Sequence, residues 1–403
     1  MRSLAQRRAQ DALFCYTGAM STKDAVLQAL KSTQDDFVSG EALAARLSVS
    51  RTSIWKAIQS LERDGYCIAA VSNNGYRLIA PPDPVDGDAI LRGLQTQGIG
   101  DCAVSAFQEV DSTMSEAKRR EAAVSAFRTA DGALTADGKT LHRLLIAAGK
   151  QTAGRGRLGR PFSSPANSGV YFTLIYAPKG GVTNPALVTA AAAVAVCRAL
   201  EALYGIQAQI KWVNDIFAGG KKVCGILTEG FLSMESGRVE AANIGIGINV
   251  LPMGFTGDLA KLAGSLYEAC GDSARATAVS RNALVARIVS ELLALYDAWE
   301  ADTGVDRTAT ADTGASDSNG TATARSRRAC SAVSDMIREY KRRSLLIGKT
   351  VQVHPVAGVQ GETYAATVRD IDDSAALIVQ TADGQTRALH SGEVSLHSYD
   401  FAI

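Results

Sequence analysis

The ten residues Gln151 to Arg160 read QTAGRGRLGR and set Arg155, Arg157 and Arg160 among Gly154, Gly156 and Gly159. Guanidinium groups this close together grip a phosphate or carboxylate through forked, charge-assisted hydrogen bonds. The glycines let the backbone bend around such an anion. They also satisfy G-x-G-x-x-G, a pattern that binds a dinucleotide only when a helix starts immediately afterwards and meets the pyrophosphate. Pro161, Pro165 and Gly169 deny that helix, so the segment is read as an anion-binding loop. A solvated basic turn is the plainer alternative, and the density of glycine and arginine weighs against it.

A second group lies in Lys211-Trp212-Val213-Asn214-Asp215 and Lys221-Lys222-Val223-Cys224-Gly225-Ile226-Leu227. The first segment ends a strand and the second opens one, so a hairpin is expected whose mouth gathers Lys211, Asn214, Asp215 and Lys222. That set suits a carboxylate and a phosphate bound side by side, or a polar hairpin end in water. Cys224 falls within a strand and reads as a small core residue. In Val110-Asp111-Ser112-Thr113-Met114 two hydroxyls stand where a helix begins, as ligands or simply as caps. No Ser-His-Asp arrangement has supporting context.

The elements that must position these groups fall into three regions. From Thr22 to Ala80 three short helices precede a hairpin. Ser39 and Ser50 are placed to cap the second and third, Gly40 opens the second, and Asn73-Asn74-Gly75 is a strong turn signal. Ile54, Ile58 and Leu61 mark the buried stripe of the third helix, leaving Arg51, Thr52, Lys56 and Gln59 on its open face. From 85 to 300 strands alternate with helices. The strands are Leu144 to Ala148, Val170 to Ile175, Ile210 to Val213, Val223 to Leu227 and Ala242 to Val250; the long helices are Pro185 to Tyr204 and Arg281 to Trp299. Residues 121–139 read as a surface insertion. Residues 301–328 contain Val305 as their one large aliphatic and read as a disordered linker. A helix from Ser334 and strands at Thr350 to Val353, Tyr364 to Val368 and Ala375 to Val379 then form a small antiparallel barrel or sheet.

The chain has 403 residues with 42 Lys and Arg against 41 Asp and Glu, so no global field draws it to nucleic acid or an acidic membrane. Between Thr22 and Ala80 the balance is seven basic to six acidic residues, and DNA contact would rest on a local patch. Seven scattered cysteines without a C-x-x-C pair point to a reduced cytoplasm. Four histidines show no metal-ligand spacing, so no metal site from protein side chains is expected. The apolar stretch Ala186 to Cys197 is short for a membrane span. Residues 1–21 read as a disordered extension, and translation could begin at Met1 or Met20.

Taken in order after a helix-turn-helix, VDSTM, QTAGRGRLGR, KWVND, KKVCGILTE and NIGIGIN resemble the bifunctional biotin protein ligase and biotin operon repressor family over nearly the whole chain. The resemblance implies an α+β multidomain protein. Its parts would be an N-terminal winged helix-turn-helix (22–82), a central mixed α/β ligase domain (85–300) and a C-terminal SH3-like β-barrel (334–403). It implies activation of biotin with ATP and Mg²⁺ to biotinyl-5'-adenylate and transfer to a lysine of a biotin carboxyl carrier protein. The adenylate would also act as corepressor, with a homodimer on the operator DNA of biotin genes.

Carried over by residue, the resemblance assigns Ser112, Thr113, Met114, Gln151, Arg155, Gly156, Arg157 and Lys222 to biotin. It assigns Gly154, Arg155, Arg157, Arg160, Phe162, Asn214 and Asn249 to the nucleotide, and Lys222, Arg157 and Asp215 to the chemistry, Asp215 as a base in the transfer step. DNA contacts would come from Gly40, Ser50, Arg51, Thr52, Lys56 and Gln59, with Arg77 on the wing. Three departures stand out: Met114 where the family usually has Asn, Val213 where it has Pro, and Phe162 where an aromatic, often Trp, packs on adenine. The competing readings are a ligand-sensing winged-helix repressor without ligase activity and a lipoate-type acyl ligase.

Overall fold

The computed structural model describes residues 20–33, 36–124, 126–233, 236–271, 277–303, 322–354, 362–390 and 393–396. They divide into two units, one ending at Pro82 and one beginning at Asp83. The expected extension before Met20 and the centre of the expected linker, 304–321, lie outside the described residues.

In the first unit α1 (Thr22–Lys31), α2 (Gly40–Leu47) and α3 (Arg51–Arg63) precede β1 (Cys67–Val71) and β2 (Gly75–Ala80). Each helix starts at a serine whose hydroxyl accepts a free first-turn N–H: Ser21 from Asp24, Ser39 from Ala42 and Ser50 from Ser53. Val26, Leu30, Leu43, Ile54, Ile58 and Leu61 are buried together as the core. The hairpin turns through Asn73, in the left-handed region at φ 64°. Val38 exchanges two 2.9 Å hydrogen bonds with Tyr76 and adds a short third strand. Gly75 is required at that crossing, because a Cβ there would lie 2.1 Å from the Val38 carbonyl oxygen. The unit is the winged helix-turn-helix read from sequence.

The second unit contains α4 (Gly87–Thr96), β3 (Ala103–Phe107), α5 (Thr113–Ala122), α6 (Ala136–Leu141), β4 (Leu144–Ala148), β5 (Gly169–Tyr176) and α7 (Pro185–Tyr204). It continues through β6 (Gln209–Lys211), β7 (Asp215–Ala218), β8 (Lys221–Leu232), β9 (Val239–Asn249), α8 (Gly257–Leu262), α9 (Leu266–Cys270) and α10 (Arg281–Thr303). The sheet order is β3-β4-β5-β9-β8-β7-β6, parallel between β3 and β4 and antiparallel elsewhere. All eight residues of β5 are buried, which is why its sequence VYFTLI shows no polar alternation.

Helix α7 shows how local chemistry sets an element. The Asn184 side chain accepts from the Ala186 and Leu187 N–H groups, Pro185 fits the first turn, and Gly205 at φ 71° ends the helix. Its 20 residues are long and apolar enough to cross a membrane, more than the stretch read from sequence, yet most of that surface is buried in the core. Thr189 of α7 donates to Thr228 of β8 at 2.9 Å. Thr228 pairs with Ile244, so this face of the sheet carries Ile244, Ile246 and Ile248 toward α7. The opposite face carries Asn243, Gly245 and Gly247, and α5 packs there.

Two boundaries differ from the sequence reading. Residues 121–139 are more than a surface insertion: Phe127 is fully buried, joins the cluster of Ala117, Leu141, Leu144 and Ile146, and stands 4.9 Å from the Phe231 ring. One aromatic in a stretch rich in small residues is enough to anchor it. The expected linker is helical at both ends, since α10 continues to Thr303 and α11 (Ala322–Arg342) begins before residue 328.

After α11 come β10 (Thr350–His354), β11 (Tyr364–Ile371), β12 (Leu377–Thr381), β13 (Thr386–Leu389) and β14 (Glu393–Leu396), an antiparallel sheet ordered β13-β12-β11-β10-β14. This region is tied to the β6–β7 turn. Tyr340 donates its hydroxyl to the Val213 carbonyl at 3.0 Å, and the Trp212 indole donates to the Ala375 carbonyl at 2.9 Å.

Candidate active site

A cavity of 190 Å³ opens on the α5 face of the sheet. Its floor is a set of glycines. Gly225 of β8 and Gly247 of β9 are register partners, and Phe162 lies over both. A Cβ at Gly247 would come within 2.5 Å of the Phe162 ring, one at Gly225 within 3.1 Å, and one at Gly245 within 2.9 Å of Met114 Cε. The glycines of VCGIL and NIGIGIN thus keep the sheet bare where Phe162 and Met114 wall the cavity.

One end is a chain of hydroxyls and amides. Thr173 Oγ1 donates to Thr113 Oγ1 at 2.9 Å, and the Thr113 hydroxyl and N–H donate to Gln151 Oε1 at 3.2 and 2.8 Å. Gln151 Nε2 donates to Ser164 Oγ at 2.9 Å, which donates to the Phe162 carbonyl at 3.1 Å. The chain ties α5, β5 and the segment after the Gly-Arg loop together. Ser112 is the N-cap of α5, though its Oγ receives the Ser115 N–H at a long 3.5 Å, and it also lines the cavity.

The other end is cationic. Arg157 donates to Asn214 Oδ1 at 3.2 Å, while Asn214 Nδ2 donates to the Ile226 carbonyl at 2.7 Å, so the turn and the loop share one amide. Lys222 Nζ lies 2.7 Å from Asp215 Oδ1. Arg155 reaches Glu229 at 3.3 Å, and Lys118 pairs with the same carboxylate at 3.0 Å. Arg155, Gly156, Arg157 and Arg160 all line the cavity. After the loop's short 3₁₀ turn (Arg157–Gly159) the chain runs on without a helix, which agrees with rejecting the dinucleotide fingerprint.

Phe162, Gln151, Pro161 and Lys222 separate this cavity from a neighbour of 580 Å³, and Gly154, Asn249, Phe255 and Leu259 line the second. Asn249 donates to the Gly264 carbonyl at 2.9 Å, so part of its amide holds a loop. Lys211, placed at the hairpin mouth from sequence, lines neither cavity. Cys224 is buried, and burial pushes its thiol well above the ordinary value, as a core residue requires. Among the described residues no three of His, Cys, Asp and Glu gather as a metal cage.

Sequence reasoning missed Thr173, Ser164, Glu229 and the glycine floor. The signal for Thr173 was one hydroxyl inside an otherwise apolar buried strand; for the glycines it was their alternation in NIGIGIN.

In the first unit Arg51, Thr52, Lys56 and Gln59 are exposed on α3, as expected. Ser50 is engaged as the cap, and Gly40 opens α2. Arg77 is on β2 of the wing hairpin, its guanidinium 4.7 Å from the Phe37 ring centroid.

Comparison with known proteins matches this architecture part by part. A family model described as the Biotin/lipoate A/B protein ligase family covers residues 138–249, an HTH domain covers 22–77 and a biotin protein ligase C-terminal domain covers 347–397. The bifunctional ligase/repressor BirA of Bacillus spizizenii is 35% identical over 249 residues, 61% of this chain and 71% of that protein. BirA of Escherichia coli K12 is 26% identical over 266 residues, 66% of this chain and 74% of that protein. A solved biotin protein ligase from Aquifex aeolicus, in complex with biotin and ATP, shares the fold with a TM-score of 0.52 at 22% identity, covering 73% of this chain and 98% of that one. With an HTH domain, a biotin/lipoate ligase domain and a biotin protein ligase C-terminal domain in that order, and 35% identity over 71% of the Bacillus spizizenii protein, the chain belongs to the family of BirA-type bifunctional biotin ligase/repressors.

Proposed function

We propose that this protein activates biotin with ATP to biotinyl-5'-adenylate, passes biotin to a lysine of a biotin carboxyl carrier protein or domain in the cytoplasm, and represses biotin genes with the adenylate as corepressor. The observation that carries the ligase reading is one cavity with a hydroxyl-amide end, an uncharged glycine floor and a cationic end. A ureido ring offers both N–H and C=O groups to Thr113, Thr173 and Gln151. A dithiolane ring offers neither, and this favours biotin over lipoate.

Biotin's carboxylate is ionised at neutral pH, so its attack on the α-phosphate needs no general base. It needs charge neutralisation. Lys222 and Arg157 are placed to supply it at the end where carboxylate and phosphate would meet, with pyrophosphate leaving. Arg155 and Arg160 fit the remaining phosphate charge, Phe162 divides the biotin space from a nucleotide space lined by Gly154 and Asn249, and Mg²⁺ arrives with the ATP as substrate. Met114 gives the biotin end an apolar wall. In the second step the acceptor amine, with an ordinary pKa of about 10.4, attacks the mixed anhydride and AMP leaves. It must first lose a proton, and Asp215 is the carboxylate nearest Lys222 to take it.

Repression follows if the adenylate, by ordering the Gly-Arg loop, favours pairing of two copies and so places two α3 helices on a palindromic site. By linkage, pairing and DNA binding then strengthen each other. The reading is tested by following pyrophosphate release with biotin and ATP, then operator binding with and without both ligands. Release without ligand-dependent DNA binding would leave a ligase whose winged helix serves another purpose.

A further inference from the structure

Trp55 is 54% exposed on α3, although tryptophan is among the residues a folded chain buries most of the way. It takes no part in the core of Val26, Leu43, Ile54, Ile58 and Leu61. Its neighbours on the helix surface are polar. At about 100° per residue, Arg51, Trp55, Gln59, Thr52 and Lys56 follow one another within an arc of about 140°. All five are exposed. An apolar ring among charged and amide side chains gains nothing for the fold of this unit.

We propose that Trp55 is a base-reading residue, its indole lying against the 5-methyl group of a thymine in the major groove of each DNA half-site. The inference rests on the DNA-binding reading above. Major-groove recognition uses two kinds of contact, hydrogen bonds to base edges and apolar contact with the thymine methyl. Arg51, Thr52 and Gln59 supply the first around Trp55, and Lys56 at the end of the arc is placed for a phosphate. No other exposed residue of α3 can supply the second over a comparable area. The indole is uncharged, so it adds apolar selectivity without the electrostatic pull of Arg51 or Lys56 on the phosphates. Among the described residues of the first unit, Met20 and Val71 are the other large exposed apolar residues, and neither lies on this helix.

The test uses the full chain with biotin and ATP, and duplexes selected by it from a randomised pool. Each thymine of the selected sequence is then replaced by uracil, which removes only the methyl group. With the wild-type chain one replacement per half-site should weaken binding about tenfold. Trp55→Ala should bind the thymine duplex about as weakly and show no further loss on that replacement, whereas Trp55→Phe should keep most of the affinity and remain sensitive. Thermal melting of each variant shows whether it is folded, and Trp55 emission should be quenched by the selected duplex. If Trp55→Ala keeps the wild-type sequence preference and the same sensitivity to uracil, the inference is wrong while the DNA-binding reading stands. Loss of self-association in Trp55→Ala with unchanged DNA affinity would also overturn it, giving the ring to a second copy of this chain. If the wild-type chain selects no sequence, both readings fail.

Discussion

Lys222 and Asp215 face each other across the β7–β8 hairpin at 2.7 Å, so the cation proposed to receive biotin's carboxylate already has a protein carboxylate as its partner. Substrate binding then exchanges one carboxylate partner for another, and the lysine need not be desolvated from bulk water. Lys222→Ala should depress pyrophosphate release by roughly 10²-fold, the scale of losing one preorganised donor to developing charge. Normal release by that variant would remove Lys222 from the site.

Arg157 donates to the hairpin's Asn214 Oδ1 at 3.2 Å. Arg157→Ala should fold and form adenylate more slowly, with Lys222 left to neutralise the charge, and should then lose it to solvent because the loop has lost its phosphate grip. Rapid gel filtration after a single turnover measures the fraction retained. Retention equal to wild type would count against a closing role for the loop.

Thr173 ends the hydroxyl chain at the proposed biotin head. Thr173→Val keeps the shape of the side chain and removes one donor. KM for biotin should rise about tenfold with kcat little changed, the signature of lost uniform binding. A fall in kcat at unchanged KM would place Thr173 at the reacting end instead.

Much of this arrangement was legible in residue types. Asn184, Pro185 and Gly205 delimit α7 because capping, a fixed φ and a left-handed exit are local properties. The failed helix after QTAGRGRLGR was legible for the same reason. What could not be read was anything requiring two distant segments to meet. The fit of Phe162 over Gly225 and Gly247 depends on sheet register, and the burial of Phe127 depends on Phe231 of β8. The value of Trp55 lay in exposure, which a helical pattern alone assigns poorly to an aromatic. The Tyr340 and Trp212 hydrogen bonds join residues more than a hundred positions apart and leave no trace in local pattern.

Glu121, 3% exposed, accepts from Asn243 Nδ2 at 2.8 Å, while its Oε1 and Asn243 Oδ1 are buried without partners. Burial, partly offset by the Asn243 hydrogen bond, holds the carboxyl above its ordinary range. A raised folded-state pKa favours folding fully below the unfolded value near 4.3, and that contribution is lost as pH rises through the folded pKa. Glu121→Gln can donate to Asn243 at any pH. It should therefore melt about 2–4 °C above wild type at pH 8 and level with it at about pH 4. Melting curves displaced equally at both pH values would show that the carboxyl is not protonated in the fold.

On this reading one cavity activates biotin rather than another acid. Purified full-length chain is incubated with ATP, Mg²⁺ and either biotin or lipoate, and pyrophosphate is followed together with the mass of an added biotin carrier domain. Biotin should drive release and add a single biotinyl group to the carrier, with lipoate inert and unable to compete. Release that depends on lipoate, or no biotin-dependent release from folded protein, would contradict the assignment.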